Sequence, residues 1–442
     1  MTSALPISVE SFESFIQCET KSKLSAQGAV GVDSELMRWQ RGCRHRYKES
    51  GLFWLRSSSQ EREFYVGTPP AEDLKRKRWP IIADYVVSLG EVCADIHALE
   101  LAPGNPGGTR SFYRPIRFVP GEKLTGVDKL LLAFDALAIS SVTGTVPPNG
   151  KIIHGSKYRA ALISLTKLVG KVRTFVEEIA AQRVETTPPV PILNKHCAEC
   201  RFRSYCQRIA LDKDDLSLLP TVTAKERKTL NDKGVFTVTQ LSYTFRPRRN
   251  SVRASKKFKH EAALKALAIR KKQVHVVGTP VWSDVGHPVY FDVEGVPDRD
   301  FYYLIGLRYL TENRWTHRSF WADNPSDEKF MWKECLGTLA QIHQPRLIHY
   351  GSYETQFLRR MHARYSDAST NPGLADLLIS SSLNLVSYTY AQIYFPTYSN
   401  SLKEVARFLG CEWSERDASG LRALMWRSEW EASRDSDIKR IS

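Results

Sequence analysis

The sequence predicts an α/β protein of more than one domain, and three observations support this prediction. At 442 residues the chain exceeds what one hydrophobic core usually organises, so two or three domains are expected. Segments with the two-residue apolar period of strands alternate with segments that have the 3.6-residue period of helices. From residue 288 the predicted order is three strands joined by short turns, then helix, strand and helix.

This order is typical of an RNase H-like fold. The predicted elements of the region are strands at 288–293, 302–310, 315–321 and 346–350, and helices at 326–343 and 353–365 with Ser326 as an N-cap. In the first part of the chain, Phe12, Phe15 and Ile16 share one helical face. The predicted elements that follow are strands at 61–66, 86–101 and 112–119 and helices at 129–141 and 160–183.

The charge of the chain is concentrated in one segment. The formal net charge is +15, and residues 211–275 hold sixteen Lys or Arg and six Asp or Glu, a local net charge of +10. Such a basic segment favours a polyanion such as nucleic acid, and the alternative is a solvated connector. Two short helices are predicted at 219–230 and 233–241, with Gly234 as a C-cap and Thr237 as the next N-cap.

Composition indicates a cytoplasmic protein. No apolar run is long enough to cross a bilayer, and the first eleven residues lack the pattern of a secretory signal, so no membrane partner is expected. Disulfides are not expected among eight cysteines in that compartment.

A pair of acids interrupts the first strand of the C-terminal region. Asp292 and Glu294 are two residues apart, so their carboxylates point to the same face. Two neighbouring carboxylates in an apolar strand repel each other, and a hard cation such as Mg²⁺ relieves that repulsion. The alternative is a strand edge with two solvated acids.

Glu354 follows the predicted fourth strand, which the fold places beside the first. Three acids would then face one pocket, an arrangement that suits phosphodiester hydrolysis by Mg²⁺ or Mn²⁺. The alternative for Glu354 is an acid that complements a helix dipole.

Four segments resemble the YprB-type RNase H-like 3′–5′ exonuclease domain over about residues 285–442. They are 291–295 (FDVEG), 301–307 (FYYLIGL), 350–354 (YGSYE) and 394–403 (YFPTYSNSLK). The resemblance implies that Asp292 bridges two metal ions, that Glu294 binds one, and that Glu354 is the second acid. That family supplies a last Asp on a late helix. No equivalent occurs before residue 442, and Asp435 and Asp437 come too early, so the domain is expected to be C-terminally truncated and incomplete.

Three cysteines lie within ten residues. Cys197, Cys200 and Cys206 form a Cys-x₂-Cys-x₅-Cys pattern that can wrap a soft metal or an iron–sulfur cluster. Zinc with His196 is the alternative cofactor, and free structural thiols are a further one. Residues 1–210 resemble RecB-family nucleases of the AddB and CRISPR-adaptation type, and this resemblance implies that Cys18 completes a 4Fe-4S site.

The same resemblance implies a PD-(D/E)xK nuclease core, which this chain has lost in part. Asp95 fits the first acid of that core. Arg117 and Val119 stand where the second acid and the lysine are expected, and an Arg cannot ligate Mg²⁺. The first domain is therefore expected to be a degenerate RecB-like nuclease domain.

The expected organisation is a RecB-like domain at 1–210, a helix-hairpin-helix-like linker at 211–275 and an RNase H-like exonuclease domain at 276–442. The residues expected to contact nucleic acid, DNA in preference to RNA, are Arg246, Arg248, Arg249, Lys256 and Lys257. The function predicted is a metal-dependent nuclease. The alternative is a catalytically impaired nucleic-acid-binding protein with a structural metal site, and a redox protein is a weaker third reading because flavin and nicotinamide motifs are absent.

Overall fold

The chain forms two compact α/β units, Met1–Cys206 and Gln207–Ser442. The computed structural model describes residues 6–58, 63–89, 91–104, 111–184, 187, 189–247, 260–281, 286–367, 373–413 and 419–441. Among these residues, no helix combines the length and the apolar composition that a bilayer crossing needs.

The first unit is organised around a seven-stranded mixed sheet. Its strands are β1 (Ile7–Ser8), β2 (Phe64–Val66), β3 (Ile81–Leu89), β4 (Val92–Ala102), β5 (Phe112–Val119), β6 (Asn149–His154) and β7 (Arg159–Ser164). The strand order is β2-β3-β4-β5-β6-β7, with β1 pairing in parallel with β4. Strands β3, β4 and β5 are antiparallel neighbours, whereas β5 and β6 run in parallel.

Two predictions for this unit are wrong. The segment 86–101, predicted as one strand, contains a reversal, because β3 ends at Leu89 and β4 begins at Val92. The segment 160–183, predicted as one helix, begins with most of β7 and becomes helical only at Thr166. In both cases one largely apolar segment contains two elements, and the chain turns between them.

Helices cover the sheet of the first unit. They are α1 (Val9–Gln17), α2 (Glu19–Ala26), α3 (Glu35–Ser58), α4 (Ala71–Lys77), α5 (Gly126–Thr143) and α6 (Thr166–Val184), and α7 (Arg203–Asp212) continues into the second unit. Helix α5 is apolar on nearly every side because it lies in the core, where Phe134 stacks on Phe12 with ring centroids 4.8 Å apart. Helix α3 packs closely through Gly51, where a Cβ atom would lie 2.3 Å from the ring of Phe118.

The second unit contains a five-stranded sheet and a small two-stranded one. Its strands are β8 (His275–Val276), β9 (His287–Val296), β10 (Phe301–Thr311), β11 (Arg314–Trp321), β12 (Pro345–His349), β13 (Leu383–Asn384) and β14 (Ile393–Tyr394). The larger sheet has the order β11-β10-β9-β12-β13, with β9, β10 and β11 antiparallel and β12 parallel to β9. Strands β8 and β14 form the smaller sheet.

The helices of this unit are α8 (Ala224–Asn231), α9 (Val238–Tyr243), α10 (Ala262–Lys271), α11 (Glu328–Ala340), α12 (Tyr353–Arg364), α13 (Leu374–Ser381), α14 (Val386–Ala391), α15 (Leu402–Phe408), α16 (Gly420–Ser433) and α17 (Ser436–Ile441). The predicted order of three antiparallel strands, helix, strand and helix is confirmed. Ser326 is not the N-cap of α11, because it lies inside a short 3₁₀ turn capped by Asn324.

The core of the larger sheet lies on one of its faces. Residues Phe291, Val293 and Ile305 point to this face and are almost completely buried. They pack against α11 and α12, where the ring of Trp332 meets Phe357 edge-on at 5.5 Å. Full burial of each large apolar side chain contributes about 1.5–3 kcal/mol to folding.

Two short helices open the second unit, as predicted. Gly234 adopts φ = 78°, a left-handed conformation that suits glycine, and it lies between α8 and α9. Thr237 is the N-cap of α9, and its hydroxyl accepts a hydrogen bond from the backbone N–H of Gln240.

Candidate active site and thiol cluster

The candidate active site begins with β9, whose side chains alternate between the core and the other face of the sheet. Phe291 and Val293 are buried, and Asp292 is exposed between them. Glu294 lies on the same face as Asp292 and is half-buried. The prediction that both carboxylates share a face is therefore confirmed by the register, which sets Gly306 opposite Asp292 and Leu304 opposite Glu294.

Glu354 reaches the same region because β12 runs parallel to β9. Ile348 pairs with Tyr290, so the chain leaves β12 beside the two acids and then enters α12. Gly351 permits this turn: it adopts φ = 148°, and a Cβ atom there would lie 3.3 Å from Oε2 of Glu354. Glu354 is buried in the first turn of α12.

The buried carboxylate of Glu354 is incompletely satisfied. Its Oε2 atom lies 3.5 Å from Nδ1 of the buried His349, and neither atom has a hydrogen-bond partner among the described residues. An unsatisfied buried polar atom usually costs about 1–3 kcal/mol. Sequence reasoning missed His349, because a lone histidine at a strand end has no distinctive spacing.

The three acids perturb one another electrostatically. Restricted hydration, with Asp292 and then Glu354 nearby, raises the pKa of Glu294 to about 7. The pKa of Asp292 is also raised, first by the surrounding protein and then by Glu354. Asp292 is exposed on the sheet, yet the surrounding protein removes part of the hydration of its carboxylate. Mutual repulsion and desolvation therefore act together on this group.

The chemistry of these donors fits a hard divalent cation, although the side chains do not form a coordination shell as they are placed. Carboxylate oxygens are the ligands that Mg²⁺ and Mn²⁺ prefer, and Oε2 of Glu354 has no hydrogen-bond partner among the described residues. Across the described ranges, no three His, Cys, Asp or Glu side chains are arranged closely enough to hold an ion. The three predicted acids therefore lie in one region and influence one another electrostatically, but their side chains are not close enough together to form a metal site.

The glycine of the FDVEG segment has a clear structural role. A Cβ atom at Gly295 would lie 2.5 Å from the hydroxyl oxygen of Tyr353 and 2.9 Å from the carbonyl oxygen of Phe301. Gly295 therefore lets the ring of Tyr353 pack against β9 directly beside the acids. This places the YGSYE segment against the FDVEG segment.

A second network, which the sequence analysis missed, supports the turn that carries Glu354. The hydroxyl of Tyr350 donates to the carbonyl oxygen of Asn400 at 2.8 Å. The amide oxygen of Asn400 accepts from the buried ammonium of Lys265 at 2.7 Å, and that ammonium also donates to the carbonyl oxygen of Phe395. Burial lowers the pKa of Lys265 to about 8. The YFPTYSNSLK segment thus ties α10 to the turn after β12.

Helix α16 approaches the acids with its N-terminus. A Cβ atom at Gly420 would lie 4.0 Å from Oε2 of Glu294. Asp435 and Asp437 lie beyond the other end of this helix, which rises roughly 20 Å over its length, and Asp435 accepts a hydrogen bond from the backbone N–H of Asp437. The structure agrees that these two acids do not join the site.

In the first unit, Cys18, Cys197, Cys200 and Cys206 line one cavity of about 330 Å³ together with His196. All four are free thiols. Burial, followed by the neighbouring cysteines, raises the pKa of Cys206 to about 12, and burial also raises the pKa of Cys197. The prediction that Cys18 lies near the other three holds in this cavity. Four thiols are a soft donor set that fits zinc or an iron–sulfur cluster. Among the described residues, however, these thiols are not close enough to one another to coordinate a single ion.

The expected nuclease core of the first unit has a different chemistry. Asp95 is exposed on β4. Arg117 lies in the core and donates to both carboxylate oxygens of Asp135 on α5, at 2.9 and 2.6 Å. Burial raises the pKa of Asp135 against the opposing pull of Arg117. The basic residue that stands where an acid was expected is thus neutralised by a buried partner, which the sequence analysis did not foresee.

Four of the five residues that are expected to contact nucleic acid lie outside the described residues. They are Arg248, Arg249, Lys256 and Lys257. Arg246 is described, and its guanidinium donates to the carbonyl oxygens of Tyr243 and Phe245 at the end of α9. That side chain therefore has a local structural role.

Comparison with known proteins supports the reading of the second unit. A family model described as the RNase H superfamily matches residues 289–441, which is about a third of the chain. No curated protein matches the sequence. The fold and the match together define an RNase H-like domain at the C-terminal end of a mixed α/β protein.

Proposed function

We propose that this protein is a metal-dependent nuclease that hydrolyses phosphodiester bonds of DNA or RNA in its RNase H-like domain. The observation that carries the proposal is the convergence of Asp292, Glu294 and Glu354 at neighbouring strand ends, where their charges are not compensated. Uncompensated acids lower the stability of the fold, and groups of this kind occur mainly at functional sites, where a bound cation or substrate offsets their repulsion.

In this proposal Asp292 and Glu294 of β9 and Glu354 of α12 are the residues that would hold Mg²⁺ or Mn²⁺. Bound cations supply a lowered pKa for the attacking water and neutralise charge on the leaving oxygen. The role of Tyr353 and Gly351 is to orient Glu354. His349 borders the same carboxylate on the side away from solvent. The detailed resemblance that supports this assignment is to YprB-type 3′–5′ exonucleases.

The proposal assigns residues 1–210 to a degenerate RecB-like domain, 211–275 to a nucleic-acid-binding linker and 276–442 to the exonuclease domain, in a cytoplasmic protein. The compact units divide instead at Cys206, so the basic segment clusters with the RNase H-like domain. The buried Arg117–Asp135 pair supports loss of nuclease chemistry in the first domain.

The four cysteines of the first unit are proposed to hold a 4Fe-4S cluster, with zinc and His196 as the alternative. The support is their common cavity and the mutual electrostatic effect of the thiols. Anaerobically purified protein is expected to be coloured, and Cys206→Ser is expected to lose both colour and iron. Cys411→Ser is the matched control, because Cys411 is exposed and lies in the other unit. Colourless protein with stoichiometric zinc would favour the alternative.

The nuclease proposal is tested with end-labelled single-stranded DNA and RNA in Mg²⁺ and in Mn²⁺. Asp292→Asn, Glu294→Gln and Glu354→Gln are each expected to reduce the cleavage rate by about 100-fold or more, a loss of at least ~2.7 kcal/mol of transition-state stabilisation. Asp376→Asn on α13 is the control, since Asp376 is exposed and pairs only with His362 in the described chain. Absence of wild-type cleavage, with salt-sensitive binding retained, would favour a nucleic-acid-binding protein instead.

A further inference from the structure

The face of the larger sheet that carries the acids continues beyond them. The side chains on this face form rows across the three antiparallel strands, since paired residues point the same way. One row is Asp292, Gly306 and Ser319, and the next is Tyr290, Arg308 and His317. The second row lies two residues along β9 from Asp292, a distance of about 7 Å.

Aromatic side chains on this face are unusually exposed. Tyr290 is 45% exposed and Trp315 is 50% exposed, although both lie in regular strands. Their ring centroids are 6.0 Å apart, and the guanidinium of Arg308 lies 4.7 Å from the ring centroid of Trp315. Helices α11 and α12 pack on the opposite face, and, within the described part of the chain, α16 packs on the end of the acid-bearing face near Trp321 through Trp430.

The charge of the same hairpin is complementary to a polyanion. On the face that carries the acids, this hairpin places Arg308 of β10 and His317 of β11, and the acid within the hairpin is Glu312 at the turn. Cations interleaved with exposed rings suit a strand of unpaired bases, because the rings stack on bases while the guanidinium groups neutralise phosphates.

We propose that Tyr290, Arg308, Trp315 and His317 form a stacking platform that binds single-stranded nucleic acid and leads it to the acids of β9. This inference rests on the proposed nuclease function and specifies its substrate class. The platform favours single strands over duplexes, because bases in a duplex already stack on each other and do not offer a free face to Trp315.

The experiment measures binding apart from cleavage. Every variant carries Asp292→Asn and is assayed in EDTA by fluorescence anisotropy with labelled oligo-dT. Combined Tyr290→Ala and Trp315→Ala substitutions are expected to weaken binding by about 10-fold or more, since each ring that stacks on a base adds to the affinity. Arg308→Met is expected to weaken binding and to flatten its salt dependence by about one phosphate contact.

Phe330→Ala is the matched control, because Phe330 is exposed on α11, which covers the other face of the sheet. Trp315→Phe is expected to restore most of the affinity, and unchanged melting temperatures show that the variants are folded. Two results would overturn the platform. In the first, the protein with Tyr290→Ala and Trp315→Ala binds oligo-dT as tightly as the Phe330→Ala protein does. In the second, these two substitutions weaken binding to a duplex of the same length as much as they weaken binding to oligo-dT. Failure of the nuclease proposal has a different signature, namely no cleavage by the wild type while the platform variants still lose binding.

Discussion

The acids next to the two sheets of this protein differ in whether they have a cationic partner. In the first unit, Asp135 is fully buried and receives two hydrogen bonds from Arg117, which is itself 7% exposed. In the second unit, neither Asp292 nor Glu294 forms an ion pair within the described part of the chain, and Glu354 keeps an oxygen without a hydrogen-bond partner. Arg117 neutralises the first site internally, whereas the second site has no cationic partner among the described residues.

This difference separates a residue that stabilises the fold from residues that, under the nuclease proposal, bind a cation. A buried acid that has a bidentate arginine partner needs no further ligand. Burial and neighbouring carboxylates raise the pKa of Asp292 and of Glu294, and these two acids destabilise the metal-free fold until a cation binds. The comparison therefore predicts that substitutions at the two sites change stability with opposite signs.

The largest effect is expected at the neutralised site. Asp135→Ala leaves the guanidinium of Arg117 buried without its partner, and removal of one member of a buried pair costs about 3–5 kcal/mol. The measurement is thermal and chemical unfolding of the full chain. Asp95→Ala is the control and is expected to change stability by less than ~0.5 kcal/mol, because Asp95 is exposed on β4. Equal stability of the two variants would show that the pair is not the source of stability.

An intermediate effect of opposite sign is expected for Glu294→Gln. The pKa of Glu294 rises from 4.5 to about 7 in the folded protein, so the folded chain binds more protons than the unfolded chain between these values. Metal-free stability due to this group therefore falls as pH increases through that window, and the full cost is present above pH 7. Glu294→Gln should stabilise the metal-free protein by about 1–3 kcal/mol at pH 8, allowing for partial exposure.

The same variant should match the wild type at pH 4, where Glu294 is protonated in both the folded and the unfolded chain. Saturating Mn²⁺ should stabilise the wild type more than the variant, since the cation binds the folded carboxylates. Unfolding in EDTA and in Mn²⁺ across this pH range checks both statements. A stability difference that is the same at pH 4 and pH 8 would show that the carboxylate charge is not responsible.

The acids of the candidate active site were easier to predict from the sequence than the Arg117–Asp135 pair, for a physical reason. Asp292 and Glu294 are two residues apart on one strand, and their shared face follows from strand geometry alone. The position of Glu354 needed only the order of β9 and β12 in a recognisable fold. The contact between Arg117 and Asp135 joins a strand to a helix across eighteen residues, and no local period encodes it.

Long-range contacts also explain what else was missed. The rows across β9, β10 and β11 depend on the register between strands, so Trp315 could be predicted as a strand residue but not as a neighbour of Tyr290. The hydrogen bonds of Lys265 to residues 395–400 span more than 120 positions. The reversal between β3 and β4 had a local sequence signal, a glycine that interrupts the apolar run.

The smallest effect is expected when both members of the neutralised pair are replaced together. Arg117→Met with Asp135→Leu removes two charges and keeps apolar volume, and such replacements of buried pairs are often neutral or stabilising. The double variant should remain within about 1 kcal/mol of the wild type, although Asp135→Ala alone costs several times more. Unfolding of the wild type, Arg117→Met, Asp135→Leu and the double variant completes the cycle, with Asp135→Ala measured beside it. A double variant as unstable as Asp135→Ala would mean that the pair fixes the packing of α5 on β5 through its hydrogen-bond geometry, and not only through the cancellation of charge.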